Sequence, residues 1–172
     1  MNQRAASAVV LTLLVGLFDA NAGAAQEIHA GAHLSYGSED FSELGVGVHG
    51  TYLVTDEIAG WASFTYHFPG EDVTFWDLNI NGHYRFEVAA DVTPYVGAGI
   101  NYSSLSVDVP GLGFGTASTS EVGLNALGGA FMDMDNGMRP FGELRFVFSD
   151  ADQLVLTLGL SVPVGNGNAE VP

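Results

Sequence analysis

The sequence predicts an all-β fold, an eight-stranded antiparallel up-and-down transmembrane β-barrel, on three observations. Apolar residues recur at period two along nearly the whole chain after residue 26, the signature of strands with one apolar face. The alternating runs are about ten residues long, which crosses a bilayer when the strand is tilted by about 45°. Charged residues make up only 14% of the 172, while hydrophobic residues reach 47% and glycines number 23, so the face opposite the apolar one is built from small neutral groups.

The chain opens with Met1-Asn2-Gln3-Arg4, an uncharged run over residues 5–18, and the small residues Ala20, Ala22, Gly23, Ala24 and Ala25. This is the layout of a secretory signal peptide. Residues 1–25 are expected to be cleaved before Gln26, with cuts before Gly23 or Ala25 also open, leaving a barrel over 26–172. The apolar run is shorter than the roughly 20 residues of a spanning helix.

The strands follow in order. Ile28, Ala30, Ala32, Leu34 and Tyr36 alternate with His29, Gly31, His33 and Ser35. Leu44, Val46, Val48 and Tyr52 alternate with Gly45, Gly47, His49 and Thr51. Ala62, Phe64, Tyr66 and Phe68 alternate with Trp61, Ser63, Thr65 and His67. Trp76, Leu78, Ile80, Tyr84 and Phe86 alternate with Asp77, Asn79, Asn81, His83 and Arg85. Val96, Ala98, Ile100 and Tyr102 alternate with Tyr95, Gly97, Gly99 and Asn101. Val122, Leu124, Ala126 and Ala130 alternate with Glu121, Gly123, Asn125 and Gly129. Leu144, Phe146 and Phe148 alternate with Glu143, Arg145 and Val147, and Leu154, Leu156, Leu158, Leu160 and Val162 close the series. Turn signals such as Pro69-Gly70, Asp135-Asn136-Gly137 and Ser149-Asp150-Ala151-Asp152 separate the runs.

In a membrane barrel the apolar face meets lipid and the small polar residues fill a narrow lumen. Tyr36, Tyr52, Phe68, Trp76, Phe86, Tyr102, Phe141 and Phe148 fall near strand ends, as interfacial girdles do. An even strand number puts both termini in the periplasm, with surface loops at 37–43, 69–75, 104–118 and 149–152 and turns at 54–57, 87–92 and 132–138. The alternative is a soluble periplasmic or secreted lipocalin-like barrel that binds an apolar ligand, but its water-facing side would normally carry many Lys, Glu and Arg.

The charges are lopsided: 20 acids stand against four arginines and no lysine, which argues against nucleic acid as a partner. With no cysteine there is no thiol nucleophile and no Cys-ligated zinc. Asp77, Arg85, Glu121, Glu143 and Arg145 fall on the inward phase and are expected to pair as an ion-pair network plugging the bore. A narrow ion-conducting pore is the functional alternative. A Glu143–Arg145 contact within one strand is weak at about 7 Å spacing, so partners are expected on neighbouring strands. Arg139 sits beside a turn. Glu39, Asp40, Glu71 and Asp72 head an acidic surface rim, either a solvated cap or a recruiter of divalent cations that bridge to lipopolysaccharide.

His33-Leu34-Ser35 has the His-x-Ser spacing of one outer-membrane deacylase class, with Glu39 or Glu43 as a possible orienting acid. Both groups face inward, away from lipid, and no catalytic residue is assigned. The five histidines share the inward phase but are spread over four strands, which suits lumen hydrogen bonding better than a metal site. Asp133-Met134-Asp135-Asn136-Gly137 lacks the alternating ligands of a calcium loop and reads as a tight turn. Gly45-Val46-Gly47 and Gly97-Ala98-Gly99 lie inside strands and relieve lumen crowding.

The segment Asp77-Leu78-Asn79-Ile80-Asn81-Gly82-His83-Tyr84, then Pro94-Tyr95-Val96-Gly97-Ala98-Gly99-Ile100-Asn101-Tyr102, then Gly123-Leu124-Asn125-Ala126-Leu127-Gly128-Gly129, Pro140-Phe141-Gly142-Glu143-Leu144-Arg145-Phe146 and Asp152-Gln153-Leu154-Val155-Leu156-Thr157-Leu158-Gly159 carry a resemblance in their order and spacing. Together they resemble the outer-membrane β-barrel domain family, the small eight-stranded barrels of the OmpX and OmpA type. The resemblance implies insertion into the Gram-negative outer membrane by the barrel-assembly machinery and no single biochemical activity; the chain is expected to be a non-enzymatic monomer without a cofactor, with outer-membrane lipids and lipopolysaccharide around it. Such barrels serve as adhesins, structural anchors or narrow pores. Many end in a terminal aromatic that signals assembly, whereas this chain continues past Val164 through residues 165–172. No peptidoglycan-binding domain follows the barrel, so a cell-wall tether is not expected.

Overall fold

The alternating runs form eight antiparallel strands in a computed structural model that describes residues 27–38, 43–70, 73–88, 91–107, 117–150 and 152–164. They are β1 (Ile28–Ser38), β2 (Glu43–Leu53), β3 (Ile58–His67), β4 (Val73–Arg85), β5 (Val92–Val107), β6 (Ala117–Met132), β7 (Arg139–Phe148) and β8 (Gln153–Pro163). Each pairs with the next, and β1 pairs with β8, so the sheet closes and no edge remains. The expected signal segment and the acids Glu39, Asp40, Glu71 and Asp72 lie outside the described residues.

Closure in this register fixes which side chains face out. Leu34, Val48, Ile80, Ile100, Val122, Leu124, Leu144 and Leu158 are all exposed, Ile80 to 69% of its surface. Apolar area left in water costs about 25 cal/mol per Å², so a continuous band of this kind requires lipid around it. The polar alternates of the same strands are buried inside, which is the reverse of a soluble barrel with an apolar interior. Tyr36, Phe68, Phe86, Tyr102 and Phe148 also face out. Trp76 packs against Tyr102 with ring centres 5.6 Å apart. Phe141 departs from the expected girdle: it is buried in the lumen, because it shares the odd-numbered inward phase of β7 with Glu143 and Arg145.

Three of the four expected surface loops are shorter than the sequence suggested. Ser104–Val107 and the residues from Ala117 to Ser120 extend β5 and β6 to 16 residues each, with Val107 opposite Ala117. Gly37 and Ser38 belong to β1, Glu43 to β2, and Val73, Thr74 and Phe75 to β4. Val92, placed in a turn by the sequence, opens β5. The turns carry the expected chemistry. Thr55 Oγ1 accepts from the backbone N–H of Glu57 and Ile58, and Asn136 Oδ1 accepts from Met138 N–H. Gly137 has φ +77°, a conformation that residues with a Cβ rarely adopt. Asp133 pairs with Arg139 and accepts from Thr93, which leaves this segment a turn and not a cation loop.

Candidate functional site

Among the described residues, titratable and polar side chains converge in the lumen, and its packing begins with glycine. Large inward side chains sit directly opposite inward glycines on the neighbouring strand: His33 opposite Gly47, His49 opposite Gly31, His83 opposite Gly97, Tyr95 opposite Gly129 and Phe141 opposite Gly159. A methyl group at Gly129 would come within 2.6 Å of the Tyr95 hydroxyl, and one at Gly31 within 2.7 Å of the His49 ring. Each ring leans into the space that its glycine leaves open. The Gly-x-Gly pairs are therefore recesses in the wall, in keeping with their place inside strands.

Toward the end that carries both termini, the bore is filled by rings. His49, Trp61, His83 and Tyr95, one from each of β2 to β5, stack face to face in succession. Their ring centres are 4.3, 5.3 and 4.7 Å apart, and neighbouring planes lie within 22° of parallel. Phe131 from β6 and Phe141 from β7 close the cluster against Tyr95 and Trp61. Trp61, Tyr95, Phe131, Phe141 and Leu127 form the buried apolar core of the molecule.

Toward the opposite end the filling is hydrogen bonded. His67 Nε2 lies 2.6 Å from Asp77 Oδ2, and Asn79 Nδ2 donates to the other oxygen of that carboxylate. Asn79 Oδ1 accepts from Asn101 at 2.9 Å and from Asn125 at 3.0 Å, and Asn125 donates on to Asn81. His33 reaches Thr65 at 3.2 Å and His49 at 3.4 Å. Ser35 meets Thr157 across the β1–β8 seam. A buried polar group without a partner costs roughly 1–3 kcal/mol, and this mesh satisfies most of its members side chain to side chain.

Of the five charged residues expected to pair, as separate pairs or as one network, only Arg145 and Glu143 lie within ion-pair distance of one another among the described residues. Asp77 takes a histidine and an asparagine as partners, not an arginine. Arg145 reaches Glu143 on its own strand at 3.9 Å, and Glu143 also accepts from the Tyr95 hydroxyl at 3.0 Å. The pair that β-spacing made weak thus forms, because both long side chains bend into the same narrow bore. Glu121 lies at the loop end, where it accepts from Asp150 N–H at 2.7 Å. Arg85 lies at the opposite mouth and has no carboxylate within ion-pair distance among the described residues. A cation that the sequence reading set beside a turn lies in the lumen as well: Arg139 is buried, pairs with Asp133 at 2.6 Å and lies 5.1 Å over the Phe131 ring. Its odd number on β7, in step with Glu143 and Arg145, was the available signal.

His33 and Ser35 hold different partners: His33 reaches Thr65 and His49, and Ser35 meets Thr157. The histidines are spread along the bore, His67 bound to Asp77 at one end and His29 to Glu27 at the other.

An apolar outer band, a closed eight-stranded wall and a side-chain-filled bore define a class: the fold is that of the small eight-stranded outer-membrane β-barrels, of OmpX/OmpA type. Neither a protein-family model nor a curated protein sequence matches the chain. Among solved structures, Neisserial surface protein A is similar over 84% of this chain and 100% of its own, with 16% identity and a TM-score of 0.65. The N-terminal barrel domain of Pseudomonas aeruginosa OprF covers 80% of this chain and 97% of its own, with 14% identity and a TM-score of 0.67. Ail, the attachment invasion locus protein of Yersinia pestis, covers 80% and 95% respectively, with 17% identity and a TM-score of 0.58. At these identities the likeness is one of fold.

Proposed function

We propose that the chain is an integral outer-membrane protein of a Gram-negative bacterium, exported by a cleaved signal at residues 1–25, with a non-enzymatic role as a structural anchor or surface platform. The observation that supports it best is the pairing of a lipid-demanding exterior with a bore filled by His49, Trp61, His83, Tyr95, Phe131 and Phe141. A wall-to-wall ring cluster favours a plug over a conduit. In this reading the termini and the tight turns face the periplasm and the acidic loops face outward, against lipopolysaccharide. Outer-membrane lipids and the barrel-assembly machinery are its other partners.

Fractionation tests the location. The protein is expected in the detergent-extracted outer-membrane fraction, with a gel mobility that shifts on heating; recovery in the soluble periplasm would sink the reading. Reconstitution in planar bilayers tests the plug. No steady unitary conductance is expected at 1 M salt, and a regular channel current would replace the anchor with the narrow pore.

A further inference from the structure

After residue 25 the methionines of the chain are Met132, Met134 and Met138, and all of them fall at the turn between β6 and β7. Elsewhere the outward wall is built from Leu, Ile, Val and aromatic residues. Methionine is ordinarily a flexible filler of irregular cores. Met132 is 50% exposed and Met134 44%, so neither fills a core. Lipid does not account for the set either, because Asp133 and Asp135 alternate with the methionines and Asn136 follows, all of them exposed.

The turn gathers the three thioethers. Met134 N–H donates to the Met138 carbonyl at 3.1 Å and Gly137 N–H to the Met134 carbonyl at 2.9 Å, so Met134 and Met138 oppose each other across the neck of the turn. Residues opposed in this way have Cβ atoms about 4.5–5.5 Å apart. Met132 precedes Met134 by two positions and shares its strand face, on a diagonal of about 7–8 Å to Met138 that long side chains span. Asn136 holds Met138 twice: its Oδ1 accepts from Met138 N–H at 3.0 Å, and its Nδ2 donates to Met138 Sδ at 3.2 Å. That bond uses one lone pair of the sulfur and leaves the other free.

The acids of the turn are a separate donor set. Asp133 is taken by Arg139 and Thr93, so the carboxylates form no loop for a hard cation. Thioethers are soft, neutral ligands that select ions such as Cu(I) over magnesium and calcium. Three of them at a solvent-exposed turn, with the charge of Asp135 beside them, describe a seat for a soft monovalent cation. We infer that the β6–β7 turn binds one Cu(I) or Ag(I) ion through the sulfurs of Met132, Met134 and Met138. The rotatable bonds of each side chain let the sulfurs close on the ion without moving the backbone. Binding is simple coordination with no redox step, and it does not depend on which way the barrel crosses the membrane.

Silver(I) is the probe, since it has the charge and softness of Cu(I) and is stable in air. The folded barrel in maltoside micelles, labelled with carbon-13 at the methionine methyl groups, is titrated with silver nitrate in chloride-free buffer. The methyl signals of Met132, Met134 and Met138 are expected to move together and to stop at one equivalent, while millimolar magnesium or calcium leaves them in place. Met134→Leu and Met138→Leu should each weaken binding at least tenfold, read in competition with free histidine, with the heat-shifted gel mobility of the folded barrel kept. Asp135→Asn, which removes charge and no ligand, should weaken it less than threefold. Methyl signals that move independently without saturating, or equal affinity in the parent and both leucine variants, overturn the inference. So does a loss at Asp135→Asn as large as that at Met134→Leu, which would move the site to the carboxylates.

Discussion

The two halves of the bore solve the same filling problem with different chemistry. Near the termini, rings from six consecutive strands, β2 to β7, meet face to face and edge to face, with hydrogen bonds only from His49 and the Tyr95 hydroxyl at the margin of the cluster. Near the opposite end, Asp77 and four asparagines depend on one another, and each lost member strands its neighbours. Ring packing draws its stability from buried area and tolerates some repacking. A polar mesh draws it from mutual satisfaction and tolerates little. The two halves should therefore respond differently to substitution, and that difference can be measured.

The largest effect should come from Trp61→Ala. Removing a ring that touches His49, His83, Phe131 and Phe141 leaves a cavity, and such truncations cost about 3–5 kcal/mol. Asn79→Ala in the polar half should cost less, roughly 1–3 kcal/mol, the penalty of stranding Asn101 and Asn125 donors. Urea unfolding in lipid vesicles reads both, and equal costs would erase the distinction between the halves.

Arg145→Ala and Arg139→Ala compare charges at two depths. Arg145 and Glu143 are both buried, and breaking such a pair leaves a stranded charge at about 3–5 kcal/mol. Asp133 is 45% exposed and rehydrates when Arg139 is removed, so about 1 kcal/mol is expected there. A larger loss for Arg139→Ala, by the same unfolding measurement, would place the weight of the lumen at its mouth instead.

Smaller effects test the interlock between rings and glycines. Gly159→Ala sets a methyl group against the Phe141 ring and should cost about 1–3 kcal/mol. In the Phe141→Leu background that cost should fall by at least about 0.5 kcal/mol, as contacting pairs do in a double-mutant cycle. Strict additivity would mean that the ring does not occupy the glycine's space. Smallest of all, Glu121→Gln at the loop end should shift the unfolding midpoint by less than about 0.5 kcal/mol.

Alternation was a sufficient guide to the wall, because lipid on one side and a bore on the other impose period two on every membrane-crossing residue. It placed Trp61, Tyr95, His49 and His83 on one inward face. It could not say that they stack, since stacking depends on strand stagger, which one strand's pattern does not carry. Phe141 was read as a girdle residue from its closeness to a strand end, although its parity with Glu143 pointed inward. Ser104 and Ser118 read as loop because the strand extensions around them rise past the apolar band, where no lipid demands alternation. The charged residues showed the limit most clearly. Phase put Arg85 and Asp77 on one face, but they lie eight positions apart on β4, and height along the bore decided their partners.

The match between rings and glycines also bears on how the barrel reaches its register. A slip of one residue turns a strand inside out and is rejected by lipid at once, but a slip of two keeps every face correct. At three seams the interlock rejects that second error in one of its two directions. Sliding β5 by two places His83 against Tyr95; the same slip elsewhere sets His33 against His49, or Tyr95 against Phe131. Ring would then face ring where ring should face hollow. In that direction the bore checks the register of its own strands, and the glycines are the letters against which the copy is read.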